Sequence, residues 1–274
     1  MRQQEMSKTS TNETAETGGV SSAFALWGDY FEANLARHDR LDAQIPWASS
    51  SPLSSADRVA ISQSLQRFEL GERGEGAGLL SKAAAQGDAV YDAALLLFVQ
   101  EEQKHSALFA RALDRFGVEP LSAHWSDAVF VVLRRLMGLR TEVTLFLIAE
   151  TVALEYFGAL HGSPDPVVHG VAERVLTDEV EHIRFQIDQL RVGFEGVSPV
   201  GRMLAVAAAW MVAVGAATVV ALDHGPALRA CGLRPFTFWG RALRHFRLAA
   251  GPAFRLGRHA AGAVPHGPSV ADPR

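Results

Sequence analysis

Two copies of Glu-x-x-His, Glu102-Gln103-Lys104-His105 and Glu179-Val180-Glu181-His182, constrain this chain more than any other feature. On a helix, residues i and i+3 share a face, so each motif aims one carboxylate and one imidazole at a common point. Two such helices meeting in a bundle core supply half or more of a carboxylate-rich two-metal site. With 17 glutamates and 10 histidines in the chain, a single match would be unsurprising. The weight therefore falls on where the motifs lie.

Both lie in the middle of inward-facing stripes. A helix over about 88–116 presents Tyr91, Leu95, Phe98, Glu102, His105, Phe109 and Ala112 on one side and stops at Gly117. A helix opened by Asp165-Pro166, a good N-cap and N1 pair, presents Val168, Ala172, Val175, Glu179, His182 and Gln186 before Gly193. Burying a carboxylate and an imidazole inside an apolar stripe is costly unless something binds them.

The preceding helices carry matching carboxylates. One is expected to start at Ser54 or Ser55 and run as a long helix to Gly87, despite glycines at 71, 74, 76 and 78. Those glycines point to a close helix approach or a distorted turn beside the site. Another spans about 139–161 and bears Val143, Leu147, Glu150, Leu154 and Phe157 on one stripe. Helices joined by short loops are antiparallel, so residues equidistant from the turn share a height. Glu72 and Glu102 are each 15 residues from Gly87, and Glu150 and Glu179 are symmetric about the Pro164–Asp165 bond. Glu69 has a suitable height but points roughly 80° off its apolar arc. Glu75 faces inward about one turn too far along and stays open as an alternative to Glu72. Glu155 fails on height and face. The candidate ligand set is Glu72, Glu102, His105, Glu150, Glu179 and His182. Four carboxylates balance two divalent cations. Glu101 and Asp178, just before the two motifs, are each placed to reach the histidine of the facing helix and fix its ring, as carboxylates commonly do for metal-bound histidines. Phe109 and Gln186, one turn beyond the histidines, are candidates to line a pocket.

The ends of the chain read differently. Residues 1–22 are polar, lack the apolar core of a secretory signal, and suit a disordered tail. Residues 23–54 form an N-terminal extension with a short helix at 24–38. After a bundle over 55–195, residues 196–250 hold C-terminal hydrophobic and amphipathic helices, and 251–274 a flexible tail. A shorter crossover helix is expected at 127–137. The stretch 203–222 holds no charged residue and is long enough to cross a bilayer. Its eight alanines and one glycine favour a fifth helix covering the bundle, with membrane insertion as the alternative. The segment 235–249 puts Phe236, Trp239, Leu243 and Phe246 on one face, suited to docking or to a lipid interface. Net charge is −4, yet residues 224–274 carry eight arginines against one acid. No nucleic-acid motif is found. A lone cysteine, Cys231, excludes a disulfide framework and any cysteine-built cluster, and fits a cytoplasmic protein that can also associate with membrane.

Taken together, Glu72, Glu102-x-x-His105, Glu150 and Asp178-Glu179-x-x-His182 resemble the ligand order of the ferritin-like non-haem di-iron carboxylate proteins. The resemblance covers about residues 55–195. It implies an all-α, ferritin-like four-helix bundle with a crossover helix, similar to a ribonucleotide reductase small subunit. It also implies two iron ions, or a mixed manganese–iron pair, that meet O₂. Phe109 occupies the place of that subunit's radical tyrosine, and Val175 that of an extra histidine ligand in the N-oxygenase type. The oxygenase, desaturase and oxidase branch remains. The expected activity is oxidation of a small, apolar organic substrate with electrons from a separate reductase, since no flavin or nicotinamide fingerprint is present. The alternatives are a ferroxidase, peroxidase or iron-handling protein, including a small homodimer, and a membrane-attached scaffold with a vestigial site.

Overall fold

The computed structural model describes the backbone of residues 2–74, 76–125, 132 and 137–254, with side chains from Ala23 onward. Among the described residues all regular structure is helical. In chain order these are α1 (Arg2–Gln44), α2 (Ser55–Glu72), α3 (Ala77–Ala84), α4 (Ala89–Phe116), α5 (Leu139–His161), α6 (Pro166–Gly193), α7 (Pro199–Asp223), α8 (Gly225–Ala230) and α9 (Pro235–Phe254). The protein is an all-α bundle.

Local chemistry sets the helix ends. Ser54 accepts a hydrogen bond from the Asp57 amide and starts α2. Asp88 accepts from Val90 and Tyr91 and starts α4, which ends at Gly117 with φ +69°. Asp165 accepts from Val167 and Val168, with Pro166 at the first position of α6. Each cap satisfies amides that the first turn leaves without partners. The termini of α4, α5 and α6 therefore fall within a residue of where the punctuation puts them.

Three expectations change. The helix from Ser55 does not run unbroken to Gly87; α2 ends at Glu72, and the chain reverses character at Gly76 before α3. Gly76 has φ +63°, and a Cβ there would sit 2.8 Å from Cγ1 of Val99. Gly76 alone of the cluster thus serves both a left-handed turn and a close approach to α4. Second, the N-terminal helix is not confined to 24–38 but spans Arg2–Gln44, including residues assigned to a disordered tail. Only Gly18 and Gly19 oppose a helix there, at about 1 kcal/mol each. Third, the amphipathic C-terminal helix extends to Phe254. The crossover at 127–137 lies almost wholly outside the described residues, as do Glu75 and the chain beyond Phe254.

The ligand-bearing helices pack as α2 against α4 and α5 against α6, and α4 also meets α6. Two apolar clusters fill the bundle. One contains Leu65, Phe109, Tyr156 and Phe157; the other contains Phe98, Tyr91, Leu147 and Phe185. Glu102, His105, Glu179 and His182 fall between them along α4 and α6. Helix α1 lies across α4 and α6. Its Trp27 and Phe31 are fully buried, with Phe31 edge-on to Phe185 at 5.3 Å.

Candidate metal centre

Helices α4 and α6 bring both motifs together in the interior. Glu102, His105, Glu179 and His182 are all buried, and each offers a ligand atom within 4.8 Å of the others. Nδ1 of His182 lies 2.8 Å from Oε1 of Glu102. Nδ1 of His105 lies 3.9 Å from the same oxygen and 3.7 Å from Oε1 of Glu179. The rings of His105 and His182 are 5.6 Å apart. Glu150 joins from α5, buried, with one oxygen accepting from Nε2 of Gln186. Glu72, in the last turn of α2, lies within reach of the charge of Glu102. Of the six residues singled out in the sequence, Glu102, His105, Glu179 and His182 meet as one cluster, and Glu150 and Glu72 lie close enough for its charges to act on their carboxyls. Glu69, rejected on direction, is engaged elsewhere, with Arg73 and the hydroxyl of Ser106. Glu155 pairs with His245 and Arg241 on α9.

The acidic residues ahead of each motif cross between helices. Oδ2 of Asp178 on α6 lies 2.9 Å from Nε2 of His105 on α4, and Oε2 of Glu101 on α4 lies 3.0 Å from Nε2 of His182 on α6. With Nε2–H donating to these carboxylates, Nδ1 of each ring holds a lone pair. Those lone pairs face carboxylate oxygens, a repulsive arrangement unless a cation or proton stands between. Nδ1 of His105 and one oxygen each of Glu150 and Glu179 make no hydrogen bond, while Nδ1 of His182 and Oε1 of Glu102 face only each other. Buried polar atoms are almost always satisfied, and this set of glutamate and histidine side chains, four of them with ligand atoms within 4.8 Å of one another, fits a metal centre in residue type. The buried carboxylate and imidazole groups can hold a metal ion.

The electrostatics agree. Burial pushes Glu150 well above the ordinary carboxylate range, helped by the neighbouring charges of Glu179 and Glu102. Burial and Glu102 do the same to Glu72. Glu179 is raised to about 7 by burial and Glu102. Burial also opposes ionisation of Glu102, but the adjacent His182 and His105 hold it down to about 2. His182 is raised well above its usual value because Glu102 and Glu101 outweigh its burial. His105 is raised, burial being overcome by its hydrogen bond to Asp178. Glu72, Glu150 and Glu179 thus keep protons in place of cations beside the ionised Glu102, and bound metal would displace them.

Sequence reasoning missed the layer supplied by α1. Nε2 of His38 lies 3.1 Å from Oδ1 of Asp178 and 3.6 Å from Oε1 of Glu101. Asn34 donates to Glu101 at 3.0 Å. Arg174, one turn before Asp178, pairs with it and with Asp42 of α1 at 3.0 Å. The available signal was periodicity: Phe24, Trp27, Phe31, Asn34 and His38 recur at three and four residues, so the two polar residues continue an apolar face. Of the two pocket candidates, Phe109 stacks on Phe157 with centroids 5.5 Å apart, and so belongs to the core. Gln186 touches Glu150 and also borders an apolar crevice with Tyr91, Leu95, Phe98, Val143 and Phe185.

No protein-family model matches the chain, and no curated protein or solved structure matches it significantly.

Proposed function

We propose that this protein is an O₂-dependent non-haem di-iron oxidoreductase of ferritin-like arrangement, acting on a small, apolar organic substrate. The observation that carries the reading is the buried cluster of Glu102, His105, Glu179 and His182, whose ligand atoms lie within 4.8 Å of one another, with a carboxylate behind each histidine. Glu72, Glu102, Glu150 and Glu179 would bridge or terminate the metals, and His105 and His182 would each hold one through Nδ1. A pair of iron ions, or manganese with iron, supplies the redox chemistry when bound: electrons pass to O₂ and a substrate bond is oxidised. The chain's own part is to hold this ligand set rigid, keep bulk water from it, and manage protons. Asp178 and Glu101 fix the imidazole tautomers. The protonated carboxyls give up their protons when metal enters. Gln186 orients Glu150 and borders a narrow apolar crevice of about 10 Å³ lined by Leu95, Phe98 and Val143, which would have to open to admit an uncharged substrate. Electrons would come from a separate reductase.

Metal analysis of protein loaded anaerobically with Fe(II) tests the proposal. The expected result is about two irons per chain, in line with four carboxylates and two histidines, and a new absorption band on admitting O₂ to the reduced protein. A single tightly held zinc, or no metal, would overturn it.

A further inference from the structure

Helix α7 has one face committed to the bundle and one face open. Ala209, Ala213, Ala217 and Ala221 are its buried residues, and their spacing of four makes a single narrow stripe. That stripe docks against α5 and α9. The opposite side carries Val200, Leu204, Met211 and Leu222, between 61% and 73% exposed, together with Met203 and Val214. No charged residue interrupts this row. Helix α5 is also long and apolar, but it is 67% buried over its most apolar window, against 17% for α7. The first is a core helix; the second leaves its apolar surface uncovered by the described residues, free to meet something else.

The neighbourhood of this face says what that something is. Trp239 of α9 donates from Nε1 to Oγ1 of Thr218, which lies in the exposed row of α7. Phe236, 83% exposed, lies parallel to Trp239 with ring centroids 6.1 Å apart. Arg247 and Arg244, eleven and eight residues further on, lie about 20° and 80° around α9 from Phe236. Residues 224–254 hold five arginines, all exposed, and no acid. An apolar face edged by aromatic rings and cations complements an anionic bilayer surface, where the rings sit at headgroup level and each arginine adds attraction. A second copy is a poorer occupant, because a two-fold pairing would bring the exposed Arg244 and Arg247 against their own copies.

We propose that α7 lies flat in the interface of an anionic membrane, with α9 beside it, and does not cross the bilayer. Crossing would strip the alanine stripe from α5 and α9; lying flat uses only the face already free. This inference is independent of the redox reading. It is tested by flotation of the full-length protein with phosphatidylcholine vesicles, with and without phosphatidylglycerol. Co-flotation only with the anionic vesicles is expected, released by carbonate or salt washing. Met211→Asp with Leu222→Asp should abolish it while leaving the melting temperature unchanged, since both sites are exposed. Arg244→Gln and Arg247→Gln should each lower partitioning about fivefold. Absence of binding to anionic vesicles, retention after carbonate washing as for a spanning helix, or a dimer in solution that Met211→Asp splits would each overturn the proposal.

Discussion

Oδ2 of Asp178 on α6 lies 2.9 Å from Nε2 of His105 on α4, while its other oxygen lies 3.1 Å from His38 on α1. One buried carboxylate thus joins three helices and points the lone pair of His105 at the candidate metals. Burial works against its charge, but His105, His38 and Arg174 hold Asp178 well below the usual carboxylate range. Asp178→Asn keeps the shape and removes that charge. Loss of such a supporting carboxylate typically weakens metal binding about 10- to 100-fold. Fe(II) or Mn(II) competition against a chromophoric chelator should show this loss for Asp178→Asn. An affinity equal to wild type would remove Asp178 from the site.

The protons stored at the site give metal binding a definite pH dependence. Glu179 has its carboxyl raised to about 7 in the folded chain against 4.5 for the free group, and Glu72 and Glu150 are raised further. A raised carboxyl binds its proton more tightly in the folded state. Its contribution to stability is therefore present below pH 4.5 and lost as pH rises through about 7. Without metal, the protein should lose stability on going from pH 5.5 to 8. Divalent metal needs the same carboxylates ionised, so its stabilising effect should grow over that window. Thermal melts with and without Mn(II) across these pH values check the sign. A metal-induced gain in melting temperature that shrank toward pH 8 would contradict the assignment.

The same crowding predicts that function and stability oppose each other here. At pH 8 Glu179 must ionise beside Glu102, both buried. Glu179→Gln keeps the volume and removes one charge, so the metal-free variant should be more stable than wild type by about 1–3 kcal/mol, in the range seen when buried charges are neutralised. It should also fail to hold the full metal complement. Denaturant unfolding of both proteins in chelator, followed by metal analysis, reads both halves. A metal-free variant less stable than wild type would mean that Glu179 is held by partners in the protein and not by a cation.

The sequence exposed the site better than its surroundings, for physical reasons. Glu102, His105, Glu179 and His182 declare themselves because a ligand must interrupt an apolar stripe, and an interruption at three-residue spacing is visible without tertiary knowledge. Glu72 and Glu150 followed from antiparallel heights, which hold whenever the turns are short. The break of α2 at Gly74–Gly76 did not disturb that argument, because Glu72 precedes it. Asn34 and His38 were opaque for the opposite reason. They act across helices far apart in the chain, His38 being 140 residues from Asp178. Only the path of α1 over the bundle, set by Trp27 and Phe31, brings them there. The exposed face of α7 was visible as hydrophobicity, but the alanine stripe that separates docking from spanning needed the packing.

Gly76 offers a test of the break itself. Its φ of +63° strains any residue with a Cβ, and that atom would also lie 2.8 Å and 2.9 Å from the two γ-carbons of Val99. Val99 is buried on α4, three residues before Glu102. Gly76→Ala should therefore destabilise the fold by about 1–3 kcal/mol, the range for a non-glycine residue held in the left-handed region. Clash relief must come from moving α3 or the turn of α4 that leads into the site. Val99→Ala removes the colliding methyls, so Gly76→Ala combined with Val99→Ala should cost less than the sum of the two single changes. Urea unfolding of the four proteins yields the coupling directly. Strict additivity would show that the left-handed backbone alone makes glycine necessary at 76, and that the close approach to α4 contributes nothing.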